Sequence, residues 1–84
     1  MKLKDNCYIQ IVDDARYLAF DGEDAAAAEI NDAAAVIVEL LGEETTEESV
    51  TDALCRRFDA PREEIAADVR EILSGLRSIG ALEE

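Results

Sequence analysis

The spacing of apolar positions changes character along the chain. Residues 7–12, Cys-Tyr-Ile-Gln-Ile-Val, are β-branched and aromatic, and Asp13-Asp14 punctuates their end, so the segment reads as a strand. Residues 16–20 resume with Tyr17 and Phe20 and read as its hairpin partner, although the turn lacks an Asn-Gly or Asp-Gly pair. Asp21-Gly22-Glu23-Asp24 forms a polar turn. The alanine-rich run up to Ile30 admits two readings. Alanine favours helix, whereas confinement between an acidic turn and Asn31, a good N-cap, favours a short third strand over 26–30.

From Asp32 the period becomes helical. Ala34, Ile37, Leu40 and Leu41 recur at spacings of three and four, and Gly42 stops them. Thr45 with Glu48 suggests a capping box for a second helix carrying Val50, Leu54 and Phe58 on one stripe. Asp59-Ala60-Pro61 breaks it, and proline suits the first turn of the next helix. Over residues 61–79, Ile65, Val69, Ile72, Leu73, Leu76 and Ile79 keep a 3.6-residue period. Glu63 and Glu64 near its start and Arg77 near its end complement the helix dipole. Gly80 ends the helix, and Ala81-Leu82 are expected to fold back on its last turn. Gly75 inside it costs roughly 0.5–1 kcal/mol, and internal close packing is its expected use. A β-ribbon followed by three helices predicts an α+β chain with a tri-helical or winged-helix core.

Eighty-four residues allow one domain, 1–84. Much of the 49% apolar content is alanine, so the expected anchors are the Leu, Ile and Val positions with Tyr8, Tyr17, Phe20 and Phe58. Stability near the lower end of about 5–15 kcal/mol follows. The net charge of −13 repels nucleic acid and anionic lipid. It favours a basic partner surface, or serves solubility alone. The N-terminus lacks a signal-peptide pattern and no run is long enough for a membrane span, so a cytoplasmic chain without membrane or nucleic-acid partners is expected. Cys7 and Cys55 are the only cysteines, and their pairing is left open by the sequence.

Candidate chemistry is sparse. No histidine is present, which removes the commonest general base and zinc ligand. Ser49, Ser74 and Ser78 lack an activating base. Cys55, beside Arg56 and Arg57, reads as a half-buried structural thiol rather than a reactive one. Adjacent acids such as Glu47/Glu48 and Glu63/Glu64 read as solvated surface. Small acidic helical domains include phosphopantetheine carriers, but the Asp-Ser-Leu attachment motif does not occur. A non-enzyme without cofactors is expected.

Several segments together point to a family. Ile30-Asn31-Asp32-Ala33-Ala34-Ala35, then Ile37, Leu40-Leu41-Gly42 and Thr46-Glu47-Glu48, resemble the PqqD-like family. So do Leu54 and Phe58-Asp59-Ala60-Pro61-Arg62-Glu63-Glu64-Ile65. The strongest match is Asp68-Val69-Arg70-Glu71-Ile72-Leu73 with Leu76, Gly80-Ala81 and Leu82. The resemblance implies a winged-helix-like fold, a short three-stranded β-sheet followed by three helices, and so favours strand at Ala25–Ile30. It implies a recognition element that binds the leader of a ribosomally synthesised precursor peptide by strand addition. The chain would then present that precursor to a modifying enzyme, often of the radical S-adenosylmethionine type. The implied docking edge is Ala25, Ala26, Ala27, Ala28, Glu29 and Ile30, and the implied helix wall includes Ala67, Asp68, Arg70, Glu71, Ile72 and Gly75. An edge strand is also a candidate for pairing with a second copy, giving a homodimer. The competing reading is a winged-helix adaptor or regulatory module that contacts DNA or another protein through its second or third helix.

Overall fold

A computed structural model of the chain describes residues 1–21 and 27–83, with the backbone only at Ala27 and Ala28. The elements are β1 (Lys2–Leu3), β2 (Cys7–Val12), β3 (Ala15–Phe20), β4 (Ala27–Ile30), α1 (Asp32–Leu40), α2 (Glu47–Arg57), α3 (Arg62–Ser78) and β5 (Leu82–Glu83). The expected sheet and three helices are therefore present in the expected order. Of the segment 25–30, Ala25 and Ala26 lie outside the described residues, and 27–30 are strand.

β2, β3 and β4 form an antiparallel sheet in that order. The β2–β3 register pairs Val12 with Ala15, so Asp13 and Asp14 alone make the turn. Both take positive φ, 50° and 69°, which is the two-residue hairpin geometry whose twist matches the flanking strands. Aspartate tolerates this region through its short polar side chain, and it does so here without a glycine.

Strand alternation divides the sheet into two faces. Cys7, Ile9, Leu18, Phe20 and Ile30 join the core, and Leu18 is 1% exposed. Tyr8 and Val12 project from the other face and are exposed. Ile11 lies near the hairpin tip, where the core face runs out, and is exposed as well. Of the aromatic anchors expected from composition, Tyr8 is thus a correction. Phe58 is another: α2 ends at Arg57, and Phe58 has extended backbone with φ −119° and ψ 137°, so it leaves the helical stripe for the surface.

α1 begins where Asn31 caps it, its Oδ1 accepting from the Ala34 N–H at 2.8 Å. Ala34, Ala35, Ile37 and Val38 are buried along its length. α2 is capped by Thr46, not by Thr45. The Thr46 Oγ1 accepts from the Ser49 N–H at 3.1 Å, while the Thr45 N–H donates to the Met1 carbonyl. Glu48 consequently has no part in a capping box. The buried Thr51 hydroxyl donates to the Glu47 carbonyl at 2.9 Å.

α3 buries Ile65, Val69, Leu73 and Leu76. Pro61 stands at the N-cap, one position before the first helical residue. Ile79 is the C-cap and is exposed, so it leaves the apolar stripe expected of it. Gly80 has φ +75°, which suits a residue without a side chain. The Ala81 N–H then donates to the Leu76 carbonyl at 2.9 Å and the Gly80 N–H to Arg77, which closes the helix end. Ala81 and Leu76 are both buried, as the expected fold-back requires.

The chain ends then join. β1 pairs with β5 in a two-stranded ribbon, Lys2 opposite Glu83 and Leu3 opposite Leu82. The Leu3 N–H donates to the Leu41 carbonyl and the Lys4 N–H to the Ala81 carbonyl, both at 2.9 Å. This ribbon holds α1 and α3 at their C-terminal ends. Cys7 and Cys55 are both free thiols. Among the described residues no helix is long and apolar enough to cross a membrane.

Candidate functional site

β4 is the outer strand of its sheet. Its inner side is paired with β3 through Arg16–Ile30, Tyr17–Glu29, Leu18–Ala28 and Ala19–Ala27. On its outer side no strand follows among the described residues. In an antiparallel ladder, alternate residues of an edge strand direct their N–H and C=O groups away from the neighbour. Those groups have no strand partner among the described residues.

A cleft of about 350 Å³ lies between the start of α1, immediately after β4, and the middle of α3. Asn31, Ala33, Asp68, Glu71 and Ile72 line it. Ile72 is half-buried and packs against the core, so the cleft has an apolar floor. Asp68 and Glu71 are exposed. Neither carboxylate has a cationic partner within ion-pair distance among the described residues. The nearby acid Asp32 is instead neutralised by Arg16, whose guanidinium lies 2.5 Å from it.

The helix period explains which expected wall residues meet there. At about 100° per residue, Asp68, Glu71, Ile72 and Gly75 share one stripe on a flank of α3. Gly75 is exposed, and a Cβ placed on it would meet no atom within 4 Å. Its expected internal packing role is therefore absent. Ala67 and Arg70 are exposed but do not line the cleft. Arg70 falls on the opposite flank of the helix. Asn31 and Ala33 were not expected at the site. Their only sequence signal is adjacency to the edge strand: Asn31 must turn the chain from β4 into α1.

Among the described residues no three His, Cys, Asp or Glu side chains converge to hold a metal ion. Cys7 has its pKa raised by burial, with Lys4 partly offsetting this. It lies under the sheet, with its Sγ 4.0 Å from the Ala81 carbonyl and away from the cleft.

The family model described as coenzyme PQQ synthesis protein D (PqqD) matches residues 16–82. The chain belongs to the PqqD family. The match takes in β3, β4, all three helices and the start of β5, and so includes every element that borders the cleft. Among solved structures, TbiB1 in complex with the TbiA(beta) leader peptide is 25% identical, with a TM-score of 0.80 over 99% of this chain and 95% of that one. Lasso peptide synthetase B1 complexed with the leader peptide is 22% identical, with a TM-score of 0.78 over 99% and 96%. The second likeness shows the PqqD-type fold. Comparison with curated proteins yields no match.

Proposed function

We propose that this chain binds the leader segment of a ribosomally synthesised precursor peptide, which adds as a strand to the outer edge of β4 and runs beside α3. The single observation that carries this reading is that β4, with no strand on its outer side among the described residues, runs directly into Asn31 and α1, which face α3 across the cleft. Main-chain pairing at such an edge supplies affinity for an extended peptide, and the cleft supplies side-chain selectivity. PqqD family membership supports it, as does the full-length fold match to TbiB1, a protein solved with a leader peptide bound. The role is one of holding and presenting rather than catalysis.

The docking edge takes in residues 25–30, and Asp68, Glu71, Ile72 and Gly75 form the wall. Ala67 and Arg70 lie outside the cleft and belong to its surroundings. Residues 1–84 act as one domain in the cytoplasm, where free thiols such as Cys7 and Cys55 persist. The bound precursor is presented to a modifying enzyme, with the radical S-adenosylmethionine class the first to try.

The test is titration of isotope-labelled protein with the leader encoded beside its gene. Binding at micromolar Kd or tighter, with amide shifts on β4 and along the 68–75 flank of α3, is expected. Absence of binding, or shifts confined to α2 and the β2–β3 turn, contradicts the proposal.

A further inference from the structure

Selectivity of the groove can be read from its side chains. The wall of the cleft is acidic and its floor aliphatic: Asp68 and Glu71 stand four and one positions from Ile72 on the same flank of α3. Neither carboxylate is paired among the described residues. Other polar groups nearby are already engaged. Arg16 pairs with Asp32, and the Asn31 side-chain oxygen caps α1. Arg70, the basic residue between Asp68 and Ile72 in sequence, lies on the far flank. The chain as a whole carries a net charge of −13. An acidic peptide entering here meets unopposed repulsion.

Spacing adds a second constraint. Residues one turn apart on α3, such as Asp68 and Ile72, are separated by about 6 Å along the axis. Alternate residues of an extended strand, which share a face, are about 6.7 Å apart. A peptide running along α3 therefore offers side chains two residues apart to Asp68 and to Ile72 in turn. Lysine and arginine suit the first position, because their methylene stems cover apolar surface while the charged head reaches outward.

We propose that the peptide taken by this groove carries a lysine or arginine two residues from an aliphatic side chain, both facing α3. The basic head pairs with Asp68, Glu71 adding to the acidic wall beside it, and the aliphatic group rests on Ile72. This rests on strand addition at β4 and adds the chemical class of the ligand.

The test uses a displayed library of random peptides of about twelve residues, selected against the full chain and against its D68K/E71K variant. Peptides enriched on the native chain should share a basic residue spaced by one from an aliphatic residue. Replacing that basic residue with glutamate should weaken binding about tenfold, and salt of about 0.5 M should weaken the parent peptide severalfold. The D68K/E71K variant should enrich acidic residues at the same place. If that variant fails to fold, D68N/E71Q should lose the basic preference while retaining binding. Enriched peptides that protect β4 and α3 yet show no charge preference overturn this inference and leave strand addition standing. Failure of any peptide to enrich, or enrichment of peptides that bind elsewhere, overturns both.

Discussion

Arg16 on β3 and Asp32 in the first turn of α1 form an ion pair at 2.5 Å, and Arg16 is also the register partner of Ile30. One side chain thus bridges the strand beside the docking edge and the helix into which that edge runs. The pair is exposed, so its contribution to stability is small, about 0–1 kcal/mol. R16M is expected to lower stability by no more than that in a urea melt. It should nevertheless weaken leader binding, because the exit of β4 into α1 is less firmly set.

The hairpin turn offers a stabilising change. Asp13 and Asp14 both occupy positive φ, a region that costs non-glycine residues about 1–2 kcal/mol, less for aspartate. D13N/D14G should raise stability by about 0.5–1 kcal/mol and Tm by a few degrees. A calorimetric scan showing a lower Tm would contradict the turn geometry.

Gly75 separates stability from binding. Nothing opposes a side chain there in the free chain, so G75A should stabilise α3 by about 0.5–1 kcal/mol. G75F should fold with equal ease and lose leader affinity, because the ring stands in the path of the added strand. Retained affinity in G75F, measured by calorimetry, would remove Gly75 from the wall.

Burial pushes the Cys7 thiol above its ordinary pKa of 9.0. The neutral thiol is the form the fold prefers, so its contribution to stability is complete below that value. It is lost as pH rises from there through the raised folded value. Unfolding free energy should therefore fall above about pH 9, and C7A should remove that part of the fall. At pH 8 an alkylating reagent should modify the half-buried Cys55 ahead of the buried Cys7.

Core and cap substitutions should show how little reserve the fold has. Leu73 is fully buried at the contact of α3 with the core. L73A is expected to cost about 2–5 kcal/mol, a large share of the stability of a chain this small. N31A removes the Ala34 cap bond and should cost about 1 kcal/mol. Denaturant melts measure both.

Much of the architecture was legible because it is periodic. Ile65, Val69, Leu73 and Leu76 recur over enough turns to define α3, and Asn31 was a good N-cap for α1. The losses have physical causes. Ile79 and Phe58 continue their stripes in sequence, but each sits at a helix terminus where the backbone leaves helical geometry. Thr45 and Thr46 are equally good caps by composition. The structure uses Thr46, whose backbone is extended and whose Oγ1 accepts from the Ser49 N–H, a difference of one position that composition does not resolve. Pairing of β1 with β5 joins two-residue strands from opposite ends of the chain, too short to show any period. β4 is alanine-rich, so its strand state depended on tertiary pairing with β3 and became legible through family resemblance. On the cleft, Asp68, Glu71 and Ile72 share a flank that helical spacing alone defines. Asn31 and Ala33 join them only through the angle at which β4 meets α1, which no local pattern reveals.

The most direct measurement is amide hydrogen exchange of β4 with and without the leader peptide. Strand addition predicts that outward-pointing amides within 27–30, which have no strand partner among the described residues, become strongly protected on binding, together with slower exchange along the adjoining flank of α3. A saturated complex in which β4 amides exchange at their free rate would contradict the account.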